Sequence, residues 1–164
     1  MPLSEQDFAD EKDNALFRAI KVKDWDQVRE LVSGTTALDE TNDKMLQELD
    51  CHDNTALHAA LGYQAPDEIV LTLLKGYPEA TKIHGANDWL PLHVAAMWGS
   101  SSVVMADLIR TYPQGLDDPG QGGIKGRTPR HFKDRFAHNK ELLERSTEDW
   151  ISSVEQQDVI ACDP

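Results

Sequence analysis

Three histidines recur along this chain, His58, His93 and His131, separated by 35 and 38 residues. Imidazole is the commonest metal ligand and general base, so a shared metal or proton-transfer centre is the first chemistry to weigh. Either would need the three rings to converge on one atom. Each histidine instead opens a helix of its own in a repeated unit. Equivalent residues on stacked helices lie about 8–10 Å apart, far beyond the ~2.0–2.1 Å of a zinc–nitrogen bond. A structural role fits all three better. Cys51 and His52 with His84 offer a second nitrogen and sulfur set, but their spacing matches no paired-ligand pattern. The many carboxylates read as solvated faces. There is no G-x-x-x-x-G-K, no G-x-S-x-G and no H-E-x-x-H. Gly120, Gly122 and Gly123 follow no buried strand and are no nucleotide fingerprint. With no assembled site, the sequence predicts no catalysis, no metal and no cofactor.

The elements that carry the histidines are legible. In Leu90-Pro91-Leu92-His93-Val94-Ala95-Ala96-Met97-Trp98-Gly99, proline suits the first helical position because its missing N–H has no partner there. Leu92, Ala95 and Ala96 fall at i, i+3 and i+4, a narrow stripe of mostly small residues built for close approach. Gly99 ends the helix. After Ser100, Ser101 and Ser102, a second apolar run (Val103, Val104, Ala106, Leu108, Ile109) closes at Tyr112-Pro113. Moving back 35 residues, Leu57-His58-Ala59-Ala60 meets Leu92-His93-Val94-Ala95. Ile69 then meets Val104, Leu73 meets Leu108, and Tyr77-Pro78 meets Tyr112-Pro113. Thr55 supplies a capping oxygen. Thr128-Pro129-Arg130-His131-Phe132 is the same opening, and Leu16-Phe17-Arg18-Ala19-Ile20 a degenerate one with Phe17 in the histidine's place.

Self-similarity at a period of about 33 with a T-P-L-H-x-A opening resembles the ankyrin repeat. The resemblance covers 14–146, in units near 14–33, 53–80, 88–115 and 126–146. It implies an all-α helix-turn-helix solenoid of about four repeats, in which His58, His93 and His131 hydrogen-bond the adjoining turns. Residues 1–13 form a polar tail in which Phe8 could dock on the first helix, and 147–164 a C-terminal capping segment and tail. In the cap, Trp150, Ile151 and Val154 share a helix face over 147–156. Residues 33–54 make a long connection with an amphipathic piece at Met45, Leu46 and Leu49. Such loops carry function or disorder. Gly115 to Arg127 is the most flexible stretch.

The formal charge is −13 over 164 residues. That disfavours nucleic acid and anionic membranes as partners of the whole molecule. No apolar run of about 18 residues spans a bilayer, and the acidic N-terminus lacks a secretory h-region. Cys51 and Cys162 form no disulfide scaffold. The expectation is a cytoplasmic or nuclear protein, monomeric alone. Residues 125–145 carry +4, leaving −17 elsewhere. That basic end reads as a solvated terminal face, or else as a receiver for an acidic peptide or phosphate.

Ankyrin-like arrays grip partners with turn tips and inner-helix ends. Val22, Tyr63, Trp98 and Phe136 fall at equivalent helix ends, with Met97 and Arg135 beside them and Trp89 at a tip. Such an aromatic line has hot-spot composition, and Asn54, Asn87 and Arg127 would add polar discrimination at the tips. The chain therefore reads as a non-catalytic module that binds another protein or peptide, with no small-molecule substrate. The other readings are a small structural subunit of a larger assembly and a regulatory ankyrin segment of an enzyme.

Overall fold

A computed structural model describes residues 13–33, 40–120 and 127–161. The expectations for Phe8, Gly122, Gly123 and Cys162 lie outside these. Local chemistry sets the helix starts. Asn14 Oδ1 accepts from Phe17 N at 3.0 Å and opens α1 (Ala15–Lys21). Helix α2 (Trp25–Ser33) and α3 (Glu40–Gln47) follow. Thr55 caps α4 (Ala56–Gly62) through the His58 N–H, and Pro66 precedes α5 (Asp67–Gly76). Pro91 begins α6 (Pro91–Trp98), and Gly99 ends it at φ 77°, where a Cβ is disfavoured. Ser101 Oγ caps α7 (Ser102–Thr111). The chain closes with α8 (Lys140–Glu144) and α9 (Thr147–Ala161). Short 3-10 turns intervene, including Pro113–Asp117 and Pro129–Phe132. Among the described residues every regular element is helical, and none is a strand.

The helices pack in two rows. Helix α1 lies on α4, α4 on α6, and α6 on the Pro129–Phe132 turn. The second row runs α2 on α5 and α5 on α7, with α8 and α9 against α7. Within pairs, α1 meets α2, α4 meets α5 and α6 meets α7. Small buried residues, Ala56, Ala59, Ala60, Ala95 and Ala96, face the first row's contacts. Leu57, Leu73, Leu90, Met105, Leu108 and Ile109 fill the space between rows. Each such side chain stabilises by roughly 1.5–3 kcal/mol. No helix among the described residues is long and apolar enough to cross a membrane.

Three elements differ from the sequence expectation. The 33–54 connection contains α3, whose Leu46 is buried. The fourth opening, expected as an inner helix, stops after one 3-10 turn. Lys133, Asp134 and Arg135 stand there where the third unit has Ala95, Ala96 and Met97, so no apolar stripe draws further turns inward. The capping helix runs past residue 156 to Ala161, with Trp150 buried.

Candidate functional site

The histidines define how neighbouring units meet. In each of the three, Nδ1 accepts from the backbone N–H three residues earlier: Thr55 N to His58 at 3.3 Å, Leu90 N to His93 at 3.1 Å, Thr128 N to His131 at 3.1 Å. That leaves Nε2 protonated as the donor in the neutral ring. His58 Nε2 donates to the Trp89 carbonyl at 2.8 Å, in the following unit. His93 Nε2 lies 3.1 Å from the carbonyls of both Asp118 and Arg127. Burial pushes the His58 pKa down to about 4, and His93 is lowered for the same first cause. His58 and His93 are neutral fasteners to the segments that follow them, whereas the His131 ring is bonded to Thr128 of its own turn. No group of three or more potential metal ligands gathers among the described residues. Cys51 Sγ lies 3.1 Å from Nδ1 of its neighbour His52, while His84 faces the Asp118 carboxylate at 3.1 Å.

The turn tips follow the same period. Asp50 N donates to Asn54 O at 3.0 Å, and 35 residues on Gly85 N donates to Trp89 O at 2.9 Å. Asp53 and Asp88, also 35 apart, both take positive φ, 62° and 58°, as does Asn87 at 60°. Short polar side chains tolerate that region better than most. The tips are tied together: Asn54 Oδ1 accepts from Ala86 N at 2.9 Å. A Cβ added at Gly85 would stand 2.5 Å from that oxygen and 3.1 Å from the His58 ring.

Between the second and third units these features enclose a groove of about 500 Å³. It is lined by the apolar Ala59, Val94, Met97, Trp89, Tyr63 and Trp98 and by the polar Lys21, Asp50 and His52. Lys21 is ion-paired with the buried carboxylate of Asp13. Trp98 also borders an adjoining cleft of about 290 Å³ with Leu61, Ala65 and Val104. Most apolar side chains nearby are buried, yet Tyr63 is 38% and Trp98 48% exposed.

Six of the residues singled out for partner binding line this one groove: Asn54, Tyr63, Asn87, Trp89, Met97 and Trp98. Several are not free contacts. Trp89 is half-buried, stacked on His93 at 6.0 Å and edge-on to Phe132 at 5.9 Å, so it packs units together. Phe136 is half-buried too: its ring packs on Gly99, where a Cβ would come within 2.6 Å, and the Arg135 guanidinium lies over the ring at 5.8 Å from its centroid. Asn54 spends its amide on Asp50 and Ala86. Met97 is half-buried against the core. Asn87 and Arg127 are exposed, and Val22 is exposed away from the groove lining.

The basic end is internally engaged. Arg130 reaches Asp117 at 2.7 Å and the carbonyls of Leu143 and Arg145 at 2.6 and 2.7 Å. Lys133 pairs with Glu144, and Lys140 with Asp134. Arg145 lies 4.7 Å from the Trp150 ring centroid. The repeated Asp53 and Asp88, and the groove-lining His52, are sites that reading for aromatic residues passes over. The 35-residue shift that aligns the histidines also aligns the two aspartates. No family model matches this chain, and no curated protein matches it as a relative.

Proposed function

We propose that this chain is a short ankyrin-like array of about four helix pairs, a non-catalytic module that binds another protein through the groove between its second and third units. The observation that carries the reading is the exposure of Tyr63 and Trp98 in one groove, at the ends of two helices whose leucines and alanines are buried against the core. The 35-residue recurrence of the histidine caps at His58 and His93 and of the turn-tip hydrogen bond supports the repeat reading. Half-exposed tryptophan is a reserve of binding energy. Burying its remaining surface, roughly 100 Å², supplies about 2–3 kcal/mol to a complex, in the range of a hot spot.

Affinity capture from the native cell, run with wild type and Trp98→Ala, tests this. A protein retained by the wild type and lost with a variant of unchanged helicity supports the reading. Retention that is indifferent to Trp98, or a variant that unfolds, overturns it.

A further inference from the structure

We infer that the groove takes a short basic segment of its partner, with one apolar side chain against Trp98 and Tyr63 and Lys or Arg side chains flanking it toward the turn tips. The inference rests on the groove being the interaction site and adds the chemistry of what enters it. Its apolar part is the pair of exposed rings, and because Trp98 borders both the groove and the cleft beside it, an extended chain can cross the indole from one to the other. Its charge is acidic. Asp53 falls between the groove-lining His52 and Asn54, and Asp88 between Asn87 and Trp89. Neither carboxylate makes a hydrogen bond or ion pair among the described residues, although the tips around them are densely bonded. Asp50 lines the groove and, among the described residues, its carboxylate accepts from neutral amide N–H groups of His52 and Asn54. The cation at the groove, Lys21, is matched by Asp13, so it does not cancel these three. At the basic end Arg130, Lys133 and Lys140 are paired with their own carboxylates, and the whole chain carries −13. Such a surface attracts a cationic segment and repels an acidic one.

The test uses the full chain and fluorescence anisotropy with matched synthetic peptides. All carry a central Leu, Phe or Trp, flanked in one set by Lys and Arg, in a second by Ser, in a third by Asp and Glu. A fourth set keeps the basic flanks and replaces the central residue with Ser. The inference expects the basic anchored set to bind about tenfold tighter than the Ser-flanked one and to weaken with added salt. The acidic set should not bind. Asp53→Asn with Asp88→Asn, which asparagine's tolerance of positive φ leaves folded, should erase most of the basic preference. Trp98→Ala should abolish binding of every anchored set. If the Ser-flanked or acidic peptides bind as well as the basic ones while remaining Trp98-dependent, the charge inference is wrong and the groove reading stands. If no anchored peptide shows Trp98-dependent binding, the groove reading itself fails. Basic peptides that bind equally without the anchor would show diffuse charge attraction and overturn the inference.

Discussion

His58 illustrates how one side chain can serve as both cap and crosslink. Its Nδ1 accepts inside its own unit and its Nε2 donates to the next, so protonating the ring would cost an acceptor inside a buried site. The folded pKa, about 4, lies below the ~6.5 of an unfolded histidine. Its contribution to stability is therefore complete above about pH 6.5 and is lost as pH falls toward 4, by about 3 kcal/mol in all. His93 shifts in the same direction. The margin of wild type over His58→Gln should accordingly shrink between pH 7 and about pH 4.5, measured as urea midpoints. A margin that stays constant would mean that the ring is not held neutral. Gly99 gives a second test at this scale. At φ 77°, with the Phe136 ring where a Cβ would go, Gly99→Ala should destabilise by about 2–3 kcal/mol in the same assay.

At the scale of elements, the last unit is held by polar contacts more than by its own helix. The short Pro129–Phe132 turn aims Arg130 at Asp117, at the carbonyls of Leu143 in the last turn of α8 and of Arg145 just after it, and at Thr147 at the start of α9. Partial burial works against the Asp117 charge, but the Arg130 and Thr147 hydrogen bonds outweigh it and hold that carboxyl below its usual range. Arg130→Ala should cost about 2–3 kcal/mol, with faster amide exchange in α8 and α9 than in α4. Uniform loss of protection along the chain would contradict this local role. The helix pairs around His58 and His93 were legible because a proline or threonine start, alanine stripe and glycine or tyrosine stop act locally. The shortened fourth unit was not, since its opening carries the same cap and only the absent apolar stripe sets its length. Trp89 and Trp98 looked alike in sequence. Their difference comes largely from Phe132, which reaches Trp89 only once the units are packed, and no local pattern encodes that.

Over the whole molecule, each helix of the first row touches mainly its neighbours in that row and its own pair, which is the economy of a stacked array. At its helix ends the chain keeps Tyr63 and Trp98 partly in water, beside three carboxylates, Asp50, Asp53 and Asp88, that have no ion pair among the described residues. Trp98 decides whether that arrangement serves a partner or the fold. Equilibrium unfolding of Trp98→Ala beside wild type should show a loss of about 2 kcal/mol, because the ring is 48% exposed and only its buried half stabilises the fold. A loss of about 3 kcal/mol or more, the range for a tryptophan removed from a core, would contradict the claim that this ring is held out for binding.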